Sequence, residues 1–496
     1  MGIGKRWRAI GAAAMLSMGL APAASAADQA ERALAAVRAL VASGEVRPDA
    51  QIKVAFKPGN INALLGPDLE LQREWEQKTG IIVSARVIPQ QAGVTNLKDH
   101  PDIDITVART HEFPDLLDQG LVEDLSPFAR QYGLVLEGGP PNGFVRPRLQ
   151  GFFGDRLVAI PADGDVTIFY VRRDLLEDPL EKKAFRKAFG RELTLPKTWQ
   201  EYDQVIRFFH RPEKGLVGAA EERDPSGGWM HWLPRYFDQQ EPHRRLFDDA
   251  MRPLIDSPAG IAATESYVRT VPYSPPEILG EGKDYSYTLP IFLQGKAFSV
   301  ANTIAGAKLF NASSSPVRGK FAVMPIPGQR VGDRIVRNNV PIYGNNLVVS
   351  SRSAQKKLAF LFAMWLTDPD VSLRTVGVRG GHTDPFRWHH LADPRIVELY
   401  SADALRAFRG EWDVALPPGT GVPGDGEYLA ALDRHLWLAA KGELSAADAM
   451  RRTAQEWERI TDRRGRAKQI EWQRTFATGF ENLDAPANKG TGKPAR

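Results

Sequence analysis

The sequence predicts an α/β fold in which each sheet is mainly parallel and flanked by helices. Three observations carry that reading. Between Ile52 and Gly120 the apolar pattern runs strand, helix, strand, strand, helix. Glycines stand where the helices stop, at Gly80 and Gly120. The chain, 496 residues with 43% hydrophobic side chains, is long enough for two or three domains with large cores.

In order along the chain, Asp28–Ala42 is an Ala-rich helix. Ile52–Phe56 alternates apolar and polar residues as a half-buried strand does, and Lys57-Pro58-Gly59-Asn60 breaks it. The next helix ends near Lys78, with Leu71 and Trp75 four apart on one face. Ile81–Ile88 reads as a strand with Val83, Ala85 and Val87 on one side; Ile103–Val107 is another, and Pro114–Gln119 begins a helix. Leu134–Gly154 is rich in Gly and Pro and reads as a loop. Leu157–Pro161 and Thr167–Val171 are strands. Pro196, then Thr198 with Glu201 as a capping box, opens a helix whose Tyr202, Val205, Ile206 and Phe209 form one apolar stripe. Asp224–Gly228 is a turn, and Ser257–Pro276 and Gly280–Tyr287 read as irregular. Phe298–Asn302, Phe321–Met324 and Leu347–Val349 are strands. Leu358–Leu366 is apolar on all sides, as a buried helix is, and stops at Asp368-Pro369. Ser445 with Asp448 caps a helix carrying Met450, Thr453, Trp457 and Ile460 on one face. Asp484–Arg496 is polar and Gly/Pro-rich and reads as a disordered tail.

The first 26 residues bear on where the protein works. Lys5, Arg6 and Arg8 precede an apolar run, Ala9–Ala21, and Ala24-Ser25-Ala26 offers small residues at a cleavage site. This is the layout of a secretory signal peptide, residues 1–26, cut after Ala26. The run falls short of the roughly 20 residues of a spanning helix. The expected compartment is the periplasm. The chain has no Cys, which excludes a lipid anchor, thiolate zinc sites and cysteine nucleophiles, and leaves packing alone to hold the exported protein. The formal net charge is +4, of which the leader supplies +3, so the rest is near neutral and makes no case for nucleic acid or anionic membranes. Arg463, Arg464, Arg466 and Lys468, flanked by acidic and aromatic residues, read as a solvated helix face.

Catalytic motifs are weak or missing. Gly419–Gly424 has GxGxxG spacing, but Pro417, Pro418 and Pro423 deny it the strand-to-helix turn that a dinucleotide loop needs. Ser353-Ala354-Gln355-Lys356 has SxxK spacing without its companion motifs. GxSxG and HExxH are absent, and His389-His390 are adjacent and cannot share a helix face as metal ligands. No catalytic residue, metal or cofactor is assigned. Trp229, Trp232 and Tyr236, clustered around His231, have two readings: the apolar faces that cover a sugar ring, or an ordinary core cluster.

The order of local patterns resembles family 1 extracellular solute-binding proteins of ABC importers, the group that contains the maltodextrin-binding protein. The likeness runs from about Ile52 to Phe476. It is carried by Glu74–Ile81 (EWEQKTGI), Pro101–Ile105 with Leu117–Leu125, Leu157–Leu175, Leu195–Glu201 (LPKTWQE), Phe292–Phe298, Val323–Gly328, Gly344–Ser353, Gly380–Phe386 (GGHTDPF) and Gly442–Met450. Val171-Arg172 stands where the family has Asn-Lys, and Leu134–Leu149, Pro272–Tyr287 and the first helix are extra.

The resemblance implies a two-lobe periplasmic-binding-protein fold with the ligand cleft at the hinge. The N-lobe would comprise residues 46–163 plus 338–376 and the C-lobe 166–337 plus 379–476, with crossings near Gly164, Asn338 and Gly377. Carried onto this sequence, the cleft positions are Lys57, Asn60, Thr110, His111, Asp165, Trp229, Trp232, Thr303, Tyr343, Asn345, Arg379 and His382. The implied function is non-enzymatic: a monomer that captures a small solute, expected to be a carbohydrate, and delivers it to ABC permease subunits in the inner membrane. The same fold binding a glycerol phosphate, a polyamine or another small solute, a sensory subunit for a membrane kinase, and an exported hydrolase stand as alternatives.

Overall fold

The computed structural model describes residues 29–89, 93–239 and 245–481. The expected leader, 1–26, and the expected tail, 484–496, lie outside them. Nine strands form the two main sheets: β1 (Gln51–Phe56), β2 (Ile82–Val87), β3 (Ile105–Ala108), β4 (Ile160–Pro161), β5 (Ile168–Arg172), β6 (Val217–Ala220), β7 (Ala297–Asn302), β8 (Phe321–Met324) and β9 (Asn346–Val349).

The first sheet has the order β2-β1-β3-β9-β4; β1 runs parallel to β2 and β3, and β9 is antiparallel to β3 and β4. The second has the order β8-β5-β7-β6; β6 is parallel to β7, and β5 is antiparallel to β7 and β8. The α/β class stands, but the expectation of mainly parallel sheets is corrected to mixed ones. The odd strand in each sheet is the one by which the chain enters from the other sheet, β5 in the second and β9 in the first. β2 is an edge strand on which Ile82 and Val87 are exposed and only Val83 is buried, so the expected one-sided face is not a core face.

The helix Lys356–Leu366 confirms the all-round apolar pattern, with Leu358–Leu366 buried throughout. Trp75 covers Phe362 and Trp365, Phe128 and Tyr132 cover Phe360, and two further neighbours complete the cover. One is β9, and the other is the first helix, Gln29–Ala42, which contributes Ala33, Leu34 and Val37. Gln29 ties that helix in by donating to the Met364 carbonyl at 2.6 Å and accepting from Arg387 at 2.9 Å. The helix Trp199–Phe209 buries Tyr202, Val205, Ile206 and Phe209 against the second sheet. Its Glu201 N–H donates to Thr198 Oγ1, while the Glu201 carboxylate accepts from Lys197 N–H at 2.8 Å, one residue before the expected capping partner.

A helical layer (Gly228–Gln239, Pro258–Arg269, Asp425–Ala440 and Ala446–Arg464) packs beside the second sheet around Trp232, Tyr236, Phe247, Tyr428 and Trp457. Pro258–Arg269 falls in a segment expected to be irregular. Its Ala and Gly residues give no stripe to read, and packing of Ala263 and Tyr267 supplies what propensity does not. Within the expected loop Leu134–Gly154 stand a short helix, Pro147–Gly151, and the first strand of a hairpin, Phe152–Phe153 with Arg156–Leu157. The last helix, Arg466–Glu481, reaches back to this hairpin and sets Trp472 5.3 Å from Phe153. Among the described residues no helix is long and apolar enough to cross a membrane.

Candidate functional site

Strand register brings the site together. Asn346 of β9 pairs with both Ala108, the end of β3, and Pro161, the end of β4. Ile168, the start of β5, pairs with Asn302, the end of β7. The segment 162–167 therefore runs from one sheet's strand ends to the other's. Asp163 and Asp165 lie on it, beside Asn345, Thr303 and Lys57, which follows β1. Loops at strand ends are where open α/β sheets hold ligands.

A cavity of about 90 Å³, taken as the space open to the centres of water molecules, occupies this junction. Six of the expected residues line it: Asp165, Thr303, Tyr343, Asn345, Arg379 and His382. So do Asp163, Tyr285, Asn302, Lys308 and Asp384. Close backbone approaches shape it. A side chain at Gly164 would strike the Pro385 carbonyl at 2.1 Å, and one at Gly59 would strike the His382 ring. Tyr343 sits at φ 59°, a left-handed conformation uncommon for its type and of the kind found at binding sites.

Three buried carboxyls dominate the electrostatics. One oxygen from each of Asp163, Asp165 and Asp384 lies within 4.8 Å of the other two. Asp163 accepts from Asp384 N–H at 2.9 Å and from the backbone and side-chain N–H groups of Asn345 at 3.3 Å. Asp384 accepts from the Tyr400 hydroxyl at 2.5 Å and lies 3.1 Å from Lys308 Nζ. Burial, with Asp384 beside it, pushes Asp163 up to about 7. Burial and the charges of Asp163 and Asp384 push Asp165 far above the ordinary carboxylate range. Lys57 donates to Asn345 Oδ1 at 2.9 Å, and burial, reinforced by Arg109, pulls its ammonium down to about 7.

Aromatic rings line another part of the wall. Tyr285 meets Tyr343 edge-on at 5.2 Å. The Tyr343 hydroxyl donates to Glu222 at 2.7 Å, and the Arg109 guanidinium lies 5.1 Å from its ring. Behind this wall Glu221 accepts from Arg235 at 2.9 Å and Arg223 at 3.1 Å; burial opposes its charge, but the two guanidiniums hold it at about 2.

The other expected residues lie elsewhere. Asn60 donates its side-chain amide to the His382 carbonyl, fixing that loop rather than lining the cavity. Thr110 and His111 line a separate cavity of about 40 Å³ with Pro417, Pro418 and Gly421. There His111 Nδ1 lies 3.1 Å from Asp425, and the Trp229 ring meets His111 at 5.2 Å. Trp229 N–H donates to Asp433 at 2.6 Å. Trp232 is corrected: it is 0% exposed, stacks on Tyr236 at 4.7 Å and donates to Thr264 at 2.8 Å, so it belongs to the helical core. Arg379 donates to the Lys308 carbonyl at 3.4 Å. Sequence reasoning missed Asp384, Lys308, Tyr285 and Asn302. Asp384 lies two residues from His382 within GGHTDPF, and that proximity was the available signal.

The family model described as bacterial extracellular solute-binding protein matches residues 63–372. A curated relative, the probable amino-acid ABC transporter periplasmic-binding protein y4oP of Sinorhizobium fredii, is 25% identical over 256 residues, 50% of this chain and 52% of its own length. The chain thus spans about half the length of the curated relative it matches. Among solved structures, a solute-binding protein of Agrobacterium radiobacter K84 in complex with ribitol superposes with a TM-score of 0.68 at 18% identity, covering 83% of this chain and 98% of that one. Maltose-bound MalE3 of T. maritima gives 0.65 at 20% identity, over 83% and 100%. These likenesses show a shared two-lobe fold.

Proposed function

The chain belongs to the bacterial extracellular solute-binding protein family, and we propose that it is the capture subunit of an ABC importer, closing two lobes on a carbohydrate or polyol in the periplasm and presenting it to membrane permease subunits. One observation carries this reading: side chains from five separated stretches, at Asp163/Asp165, Tyr285, Asn302/Thr303, Tyr343/Asn345 and Arg379–Asp384, converge on one cavity between the sheets. Carboxylates, amides and a hydroxyl suit the hydroxyl rim of a polyol, and Tyr285 and Tyr343 suit its C–H face. Ribitol and maltose, held by two structures of this fold, are such solutes.

The proposed lobes are residues 46–163 plus 338–376 and 166–337 plus 379–476. A solute touching both favours the closed form, because only that form offers all its contacts. No bond is made or broken. The test is a thermal-melt screen over sugars, polyols, sugar phosphates and amino acids, the last being the class in the name of y4oP. A solute that raises the melting temperature and is recovered unchanged supports the proposal. Turnover of that solute contradicts it in favour of an exported hydrolase.

A further inference from the structure

We infer that the solute carries a protonated primary amine beside its hydroxyls, an amino polyol or amino sugar, and that the ammonium docks between Asp165 and Asp384. The inference rests on the reading that this cavity captures a solute, and goes beyond it by naming the charged group recognised.

Neither Asp165 Oδ1 nor Asp384 Oδ2 has a hydrogen-bond donor among the described residues, although Asp165 is 6% exposed and Asp384 1%; the two carboxyls lie within hydrogen-bonding reach of each other, and a proton held between them is what an ammonium would replace. Both residues face the cavity. Buried carboxylate oxygens are costly to leave unpaired, and a binding site is where such a cost is met by a ligand. The two groups also crowd a third carboxyl, Asp163. Lys308 is the one ammonium in direct ion-pair contact with the triad among the described residues, and it reaches Asp384 Oδ1 rather than the free oxygens. Lys308 is further committed to the carbonyls of Gly381 at 2.9 Å and Thr383 at 3.0 Å.

What the triad lacks is therefore positive charge with N–H donors. A neutral hydroxyl supplies one donor and no charge; an ammonium supplies three donors and the charge. The complementary orphan is Asn302 Nδ2, a donor without an acceptor, in a residue 5% exposed on the same cavity. An ammonium cannot satisfy it, whereas a hydroxyl oxygen on the same molecule can.

A metal ion fits less well. Both oxygens of Asp163 already accept N–H bonds, from Asp384 and from Asn345, and would have to give these up to coordinate. An ammonium needs only the two oxygens that are free.

The test is calorimetric titration of the whole mature protein at pH 8 with matched probes whose amines stay protonated there: sorbitol against 1-amino-1-deoxysorbitol, and ribitol against 1-amino-1-deoxyribitol, with calcium chloride as a separate titrant. The expected result is that the amine of at least one pair binds tenfold or more tighter than its hydroxyl counterpart, and that the ratio falls to near one in Asp165→Asn. Equal or tighter binding of the neutral members overturns the amine and leaves solute capture standing. Calcium binding that depends on Asp165, without an amine preference, overturns it in favour of a metal ion. Binding of no probe overturns both the amine and the capture reading for this class of solute. The wild-type ratio decides the matter even if the variant folds poorly.

Discussion

Lys308 Nζ lies 3.1 Å from an oxygen of Asp384, and both side chains are 1% exposed. The pair joins the short helix Ala305–Phe310, which follows β7 of the second sheet, to the segment that returns after the helix Pro369–Val376. It thereby fixes the wall on which the candidate site is built. Removing one partner of a buried pair leaves the other charged and uncompensated. Lys308→Met is expected to cost about 3–5 kcal/mol, read as a loss in chemical denaturation. A change below 1 kcal/mol would mean that solvent or another cation already serves Asp384.

Trp232 separates core from cleft. Trp232→Ala removes a fully buried ring stacked on Tyr236 and leaves Thr264 without its indole donor. It is expected to cost about 3–5 kcal/mol, while Trp232→Phe keeps solute affinity within twofold. A tenfold loss of affinity in Trp232→Phe would return this residue to the binding site.

The first helix is expected to support stability alone. Leu34 is buried on the helix that packs against Lys356–Leu366, and it does not line the cavity. Leu34→Ala is expected to cost about 2–5 kcal/mol with unchanged affinity. Altered affinity at normal stability would show that this helix communicates with the site.

The carboxyl cluster gives the unliganded protein a pH dependence of definite sign. Asp163 titrates at about 7 in the fold against an ordinary 3.8, and Asp165 is displaced the same way. The folded state therefore binds more protons above pH 4; the stabilisation from Asp163 is complete below about pH 4 and is lost as pH rises through 7, and that from Asp165 falls in the same direction. Lys57, depressed to about 7, acts oppositely, and its recovery falls above that pH. Between pH 5 and pH 7 the cluster therefore lowers stability, by at most about 1.4 kcal/mol per pH unit for each group. Asp165→Asn should flatten the slope of stability against pH in that window. An unchanged slope would place the titrating groups elsewhere.

How far the sequence could be read depended on the kind of signal. The stripe Tyr202, Val205, Ile206, Phe209 and the all-round apolar Leu358–Leu366 are local periodicities, and both are where they were expected. Pro258–Arg269 has no such stripe, and its helix rests on neighbours remote in sequence. Within the site, Asp165, Thr303, Tyr343, Asn345, Arg379 and His382 meet because loops at strand ends meet, which motif order conveys. Asp384 and Lys308 escaped because their importance lies in distances between segments 76 residues apart in sequence, which no local pattern encodes. Trp229 and Trp232 are three residues apart on one helix face and are buried in the same core, yet only Trp229 also reaches His111. Position along the helix decides between them, and no periodicity reports it.

The central claim is that a solute is held at Asp165. The most direct measurement is calorimetric titration of the solute that raises the melting temperature into wild type and Asp165→Ala, with the unliganded melting curves recorded alongside. The expected result is that binding is lost while the unliganded variant is no less stable than wild type. Wild-type affinity in Asp165→Ala, or collapse of its unliganded stability, would contradict it.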